Sequence, residues 1–472
     1  MSLEGLLVLL IHAVIGPAAV FHALLYKRDS RSALGWIGFC LFFPLVGPLI
    51  YAVFGVNRVH TRARELKPPA HRSRLIAYEL GETAASVTGQ YQGIVNVGYC
   101  ITGQPPRAGN AVQMLCNGEQ IYPAMQTAIK QARHSIHLAS YIFDTDQVGR
   151  EFIALLQERV RAGVAVRVIV DGVGECYSWP RASKLLRRAG VPVAQFMPVR
   201  LLPPSLSINL RSHRKILVVD EQIGFTGGAN IGSRHLVQDT SSKKRVADIH
   251  FRLQGPIAKD LNRLFLEDWR FLTGETVAAS EPRAVPLESQ GAQCRLISDG
   301  PNEDMDRLVM LYLGVISSAQ QRISIMTPYF LPERELAAAL RAAVLRGVEV
   351  RIVLPGQNNL PFVHWASQHM LGELLHWGVR VFYQPPPFVH SKLLLVDDDY
   401  SLIGSANLDA RSLRLNFELG VEIFEHRLSQ KLYAHFEQAL ARSREATMQD
   451  VLQRTVWQRA RDASMALFAP YM

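Results

Sequence analysis

Residues 213–220, HRKILVVD, followed by Gly227, Gly228 and Asn230, and residues 390–397, HSKLLLVD, followed by Gly404, Ser405 and Asn407, are two copies of one signature. Each reads His-x-Lys, four residues, Asp, six residues, Gly-small-x-Asn. A lone His-x-Lys arises by chance in a chain of 472 residues. Two copies that agree at six positions mark an internal duplication.

Each signature opens on an apolar strand, 215–220 or 392–397, and a second strand follows, 223–227 or 400–404, which predicts a hairpin in both copies. Alternation along the first strand puts His213 and Lys215 on one face, and likewise His390 and Lys392, so that each pair points into one cleft. The glycines after the second strand allow a tight turn close to a ligand.

The repeat extends outward. The first half contains HSIHLASYIF (134–143), a helical stretch ending at Gly163, VAVRVIVDG (164–172) and LLRRAGVPVAQF (185–196); the second contains QRISIMTPYF (321–330), a helical stretch ending at Gly347, VEVRIVLPG (348–356) and LLHWGVRVFY (374–383). Near-continuous Val, Ile and Leu predict strands covered on both faces. The expected class is therefore α/β: two pseudosymmetric α/β/α domains, 111–285 and 286–472, that share one active site.

Ahead of them lie two runs without Asp, Glu, Lys or Arg, residues 5–26 and 33–56. Each is long enough to cross a bilayer core of roughly 30 Å, and Glu4 with a second run does not fit a cleaved signal peptide. A retained transmembrane helical hairpin over residues 1–65 is expected, with 66–110 as linker. His12, His22, Pro17, Pro44 and Pro48 interrupt the runs, so a kink or a re-entrant segment is the other reading. Arg58, Arg62, Arg64, Lys67, Arg72 and Arg74 follow the second run against Glu65, which favours cytoplasmic placement of the chain after residue 57. Half of the net charge of +10 thus sits beside the membrane, where it suits anionic head groups. Cys40, Cys100, Cys116, Cys176 and Cys294 have no CxxC spacing, so neither a zinc site nor a disulfide framework is supported.

Two histidines brought into one cleft divide a phosphoryl displacement between them: one neutral imidazole attacks phosphorus and the other, protonated, donates to the leaving alkoxide. Two lysines and two asparagines neutralise and hydrogen-bond the non-bridging oxygens, and no metal or other cofactor is invoked. On this duplicated His-x-Lys…Asp motif the chain resembles the phospholipase D superfamily. INLRSHRK (208–215), FLEDWRFLTGE (265–275), TPYFLPERE (327–335) and LNFELGVEIF (415–424) extend the likeness to its bacterial cardiolipin synthases.

That resemblance implies a phosphatidyl transfer through a phosphohistidine, with His213 as nucleophile and His390 as acid and then base. Lys215 and Lys392 belong to the catalytic set. Asn230, Asn407 and Ser405 are expected to bind phosphate. Asp220 and Asp397 complete the motif, but at strand ends they suit a hydrogen-bonding role. Asp248 and Glu418 are the better candidates to orient the histidines. Gly228 replaces the superfamily's more frequent serine and removes one hydroxyl from the first half. The implied substrate is phosphatidylglycerol. Hydrolysis, a phosphatidylethanolamine donor and, more remotely, nucleic-acid cleavage use the same residues; nucleic acid is not the expected partner, because little of the basic charge lies around the signatures.

Three features stand outside this set. Ser242 to Arg245 form a basic loop; His364, His369 and His376 share a helix at spacings unsuited to a metal; and residues 457–472 are expected to dock either on membrane or on the body.

Overall fold

The computed structural model describes residues 14–27, 30–55, 91–198, 210–240, 242, 244–277, 291–300 and 306–472. The chain forms two compact units, Met1–Leu66 and Lys67–Met472.

In the first unit, helices Gly16–Tyr26 and Ser30–Phe42 pack as a hairpin through Ala23, Cys40 and Tyr51. The second apolar run is not one helix. It stops at Phe42 and resumes as the short helix Val46–Ile50 and the turn Tyr51–Gly55. Pro44, which has no N–H to donate and crowds the preceding turn, stands at the break. Among the described residues no helix is long and apolar enough to cross a membrane. The outer surface of the unit is nevertheless apolar, with Phe21, Leu24, Leu34, Leu41, Phe42 and Leu49 exposed. Residues 5–13 of the first run, Arg28 and Asp29 of the loop, and the basic run 57–74 lie outside the described residues.

In the second unit the first half supplies β1 (Arg107–Cys116), β2 (Ser135–Ser140), β3 (Ala165–Asp171), β4 (Val193–Phe196), β5 (Ile216–Val219), β6 (Ile223–Gly227), β7 (Val246–Ala247) and β8 (Ile249–Gln254). The second half supplies β9 (Ala292–Asp299), β10 (Arg322–Met326), β11 (Glu349–Pro355), β12 (Arg380–Gln384), β13 (Phe388–Val389), β14 (Leu393–Val396), β15 (Tyr400–Gly404), β16 (Glu418–Phe424) and β17 (Arg444–Glu445). The main sheet runs β17-β12-β11-β10-β14-β15-β16-β9-β1-β8-β6-β5-β2-β3-β4. Read outward from the antiparallel β9 and β1 pair, the two arms repeat each other as far as β12 and β4, and β17 adds an edge strand to the second half.

The duplication and both signature hairpins are therefore present, and the two halves differ from separate domains in that one continuous sheet passes through them. Residues 91–110, expected as linker, contain helix Gln92–Thr102 and the start of β1. That helix buries Ile94, Val95 and Ile101 in the core of the second half.

Strand alternation explains the layers. On β2, Ile136 and Leu138 join the core beneath helices Asn117–Gln131 and Gln147–Arg161, while His137 stacks on Phe265 of helix Pro256–Thr273. The helices end where the sequence turns: Gly163 and Gly347 have φ of +83° and +89°, a region in which only glycine is unstrained.

Candidate active site

His213 and His390 each precede a signature strand, and a short cross-half ladder fixes each of them. Val389 pairs with Ala247 in the parallel ladder of β13 and β7, and the His390 N–H donates to the Ala247 carbonyl at 2.8 Å. The mirror contact is the bridge between Ser212 and Phe417, with the His213 N–H donating to the Phe417 carbonyl at 2.9 Å. The residue after Ala247 is Asp248, and the residue after Phe417 is Glu418. Each ladder thus sets a histidine of one half beside a carboxylate of the other.

His213 Nδ1 lies 3.0 and 3.1 Å from the two oxygens of Glu418. His390 Nδ1 lies 2.9 Å from Asp248 Oδ2. Burial pushes both carboxyls toward protonation, yet His213 and Lys215 hold Glu418 below the usual range, and His390 and Lys392 do the same to Asp248. Both acids are ionised and only accept, so Nδ1 of each imidazole carries the proton and Nε2 keeps its lone pair for the cleft. Asp248 and Glu418, the carboxylates expected to orient the histidines, thus each contact the histidine of the opposite half.

Burial brings the His213 imidazole down to about 4 against the pull of Glu418, with Lys215 adding to the fall. His390 comes down to about 3, through burial and the Lys392 ammonium, whose Nζ lies 3.0 and 3.1 Å from the two ring nitrogens. Both rings are neutral at pH 7. Lys215 and Lys392 fall to about 7 and about 8, again chiefly through burial. Each tucks its Nζ against the carbonyl of its own histidine, at 2.7 and 2.6 Å. Each lysine also acts electrostatically on the histidine of the other half, so the two signatures influence one another.

Asn230 and Asn407 are buried at matching places. Asn230 Oδ1 accepts from the Ile142 N–H at 3.1 Å, which leaves its amide N–H groups to donate; Asn407 Oδ1 is buried without a partner. Ser405 is turned elsewhere. Its hydroxyl is fully buried and donates to Glu418 Oε2, while accepting from the Leu419 N–H at 3.0 Å. The serine expected on phosphate holds the orienting carboxylate. At the matching position, a Cβ on Gly228 would stand 2.2 Å from Asp248 Oδ1, so the carboxylate fills the space a serine would need.

The motif aspartates correct their place in the catalytic set. Asp220 accepts from the N–H groups of Arg133, His134 and Ser135 at 2.8, 2.7 and 2.8 Å. Asp397 accepts from Gln320, Gln321 and Arg322 at 3.0, 2.8 and 3.1 Å. Both have positive φ and tie the turn that enters β2 or β10 to the far end of the signature strand, away from the lysines.

Four further side chains adjoin these residues and stand outside the set read from the sequence. Arg214, the variable residue of the first His-x-Lys, is buried and donates to both oxygens of Asp268 at 2.8 and 2.7 Å and to the Glu418 carbonyl at 3.1 Å, locking the halves together. His235 Nε2 accepts from the Asn230 N–H at 3.2 Å and so braces the Asn230 turn. Tyr141 and Tyr329 stand edge-on to His213 and His390, with ring centres 5.1 and 6.4 Å apart. Only Tyr329 carried a signal, TPYF after a strand, and an aromatic at a strand end reads as core.

Of the features set aside, Arg245 spends its guanidinium on the carbonyls of Val237 and Ser242, and Lys243 lies outside the described residues. His364 packs edge-on to Tyr383. The carboxyl-terminal helix Val456–Ala466 and the turn after it pack on the body through Met465, Ala466, Ala469 and Met472 against Leu331, Val363 and Ala366.

Comparison with known proteins places this arrangement. The model of the family described as "Cardiolipin synthase, PLD-like domain" matches residues 125–269 and 312–440, and that of "Phospholipase_D-nuclease N-terminal" matches residues 14–55. A cardiolipin synthase A of Pseudomonas aeruginosa is 34% identical over 93% of this chain and 90% of its own length. A cardiolipin synthase of a Geobacillus species is 32% identical over 99% and 95%. The crystal structure of phosphatidylserine synthase from Haemophilus influenzae superposes with a TM-score of 0.63 at 15% identity, over 81% of this chain and all of that one, and shows the shared fold. The chain belongs to the cardiolipin synthase family of the phospholipase D superfamily.

Proposed function

We propose that this phosphatidyltransferase joins two phosphatidylglycerol molecules into cardiolipin and glycerol through a phosphohistidine. His213 Nε2 attacks the phosphorus of the first lipid while His390, protonated as the anionic phosphodiester enters beside it, passes its Nε2 proton to the departing glycerol oxygen. A second phosphatidylglycerol then offers its hydroxyl, His390 takes that proton, and the oxygen displaces His213 from phosphorus. Charge, atoms and protons balance over the two steps. Lys215, Lys392 and the amides of Asn230 and Asn407 are the donors for the non-bridging oxygens.

The observation that carries this reading is the crossed pair of contacts, His213 to Glu418 and His390 to Asp248, which engage Nδ1 of each ring and leave the Nε2 lone pair of each for chemistry. The order of the histidines is supported by the fuller support of Glu418, held by Ser405 and Asn416, because an attacking nitrogen needs a fixed ring. Residues 1–65 act as the membrane anchor, supported by the apolar exterior of the helical hairpin, and the basic run after it supports a cytoplasmic catalytic body. The anionic membrane surface is the partner proposed for that run.

The full chain in phosphatidylglycerol vesicles is expected to yield cardiolipin and glycerol in equal amounts by mass spectrometry. Phosphatidic acid without cardiolipin overturns the reading. With a p-nitrophenyl phosphodiester, whose leaving group needs no acid, His390→Ala is expected to release p-nitrophenol and His213→Ala to release none. The opposite result reverses the two roles.

A further inference from the structure

We infer that the mouth of the cleft is itself a membrane-docking surface, in which the turn Gly174–Pro180 on one rim and residues 467–468 with Phe362 on the other enter the head-group layer. The inference rests on the proposal that the substrate is a phospholipid, and adds where the catalytic unit meets the bilayer. Trp179 is 82% exposed and Tyr177 60%; Leu467 is 78% and Phe468 55%. Isolated exposed apolar side chains are ordinary, but aromatic ones gathered at one opening mark an interaction site.

Both rims adjoin the two reacting histidines. Tyr177 lies close enough to Tyr141 and Tyr329, the tyrosines edge-on to His213 and His390, to act electrostatically on both hydroxyls. Arg411 acts on the same two hydroxyls, and its backbone N–H donates to the Met472 carbonyl at 3.0 Å. Ala469 and Met472 pack with Tyr329 and Leu331, which puts Leu467 and Phe468 at the edge of the opening. The Tyr329 hydroxyl donates to Asn359 Oδ1 at 2.8 Å, three residues before Phe362.

The Trp179 turn is built to hold its position. The N–H groups of Val173 and Gly174 donate to Asp171 Oδ1 at 2.8 and 3.0 Å, and the Thr145 N–H donates to Ser178 Oγ at 3.2 Å. A Cβ at Gly174 would meet the Tyr141 carbonyl at 1.7 Å, so the turn sits directly on the residue that packs against His213. Trp and Tyr favour the boundary between head groups and acyl chains, since each joins an apolar ring to a polar hydrogen-bonding group. The helix that follows, Ala182–Arg188, exposes Lys184 and Arg188, which suits an anionic bilayer better than a second copy of this basic chain. A lipid that keeps both acyl chains in the bilayer must present its phosphate at that surface.

The test uses the full chain in phosphatidylglycerol vesicles containing brominated acyl chains, which quench tryptophan on contact. Trp179→Phe is expected to remove part of the quenching seen in the wild type, whereas Trp377→Phe, at the far end of helix Pro361–His376, removes none. Trp179→Ala combined with Phe468→Ala is expected to raise KM for bilayer phosphatidylglycerol roughly tenfold and to leave turnover of water-soluble short-chain phosphatidylglycerol unchanged. Quenching unaltered by Trp179→Phe, or equal losses on both substrates, overturns the inference. Absence of phosphatidylglycerol turnover in the wild type rejects the proposed substrate instead, and the quenching still reports whether the rim meets lipid.

Discussion

At position 228 the first half has glycine because Asp248 Oδ1 occupies the space, and at the matching position 405 the second half has serine, whose hydroxyl donates to Glu418. The shorter carboxylate approaches its own strand closely and takes the Ile249 N–H at 2.8 Å. The longer one reaches further and is held by Ser405 and by the Asn416 amide at 3.4 Å. Two solutions to one problem keep both imidazoles oriented while surrounding them differently. Such asymmetry is what a displacement needs, since one ring must attack while the other carries a proton.

The largest expected effects test the crossed pairing. His213→Ala should lower cardiolipin formation about 10⁴-fold or more, and Glu418→Gln or Asp248→Asn about 10³-fold each, because a carboxamide no longer stabilises a cationic ring or fixes its tautomer. On the p-nitrophenyl substrate, in a His390→Ala background, Asp248→Asn should add no further loss whereas Glu418→Gln should lower the rate again. Equal additional losses from both would break the assignment of each acid to the opposite half.

The two small-residue positions come next. Gly228→Ser forces Asp248 away from His390 and is expected to cost roughly 10²-fold in kcat. Ser405→Ala removes one hydrogen bond to a charged group, worth about 1.5–3 kcal/mol, and is expected to cost about tenfold. Steady-state kinetics on both variants sharpen the comparison; a harmless Gly228→Ser would remove the steric reason for the glycine.

The pH dependence is the mildest effect. Burial brings Lys215 and Lys392 down to about 7 and about 8, so kcat/KM for an anionic lipid is expected to fall as pH rises through that range, and Lys215→Arg to move the fall upward. The histidines act on stability. With His213 and His390 at about 4 and about 3 in the folded chain against 6.5 unfolded, the unfolded state binds more protons between those values, so stability rises with pH up to about 6.5. Melting curves from pH 4 to 7 should therefore climb, and less steeply in His390→Gln.

Much of the fold was legible. Near-continuous Val, Ile and Leu runs that follow the helix-ending Gly163 and Gly347 locate β3 and β11, and period-two alternation puts His213 beside Lys215. The helix Gln92–Thr102 was not, because its apolar face answers to the core of the second half rather than to its sequence neighbours. Pro44 signalled an interruption, and the helix does break there. Ser405 and Gly228 were read as a hydroxyl present or missing at phosphate. A residue type states what a side chain offers and leaves open which way it points.

The duplication and the residues proposed to react were read from the sequence alone, since they depend on residue chemistry and on spacing within a few tens of positions. Which carboxylate serves which histidine was decided only by the tertiary structure. Glu418 meets His213 across 205 residues and Asp248 meets His390 across 142, and closure of one sheet through both halves brings them together. Local propensity carries no record of such contacts, because their geometry is set by how the two arms of the sheet meet.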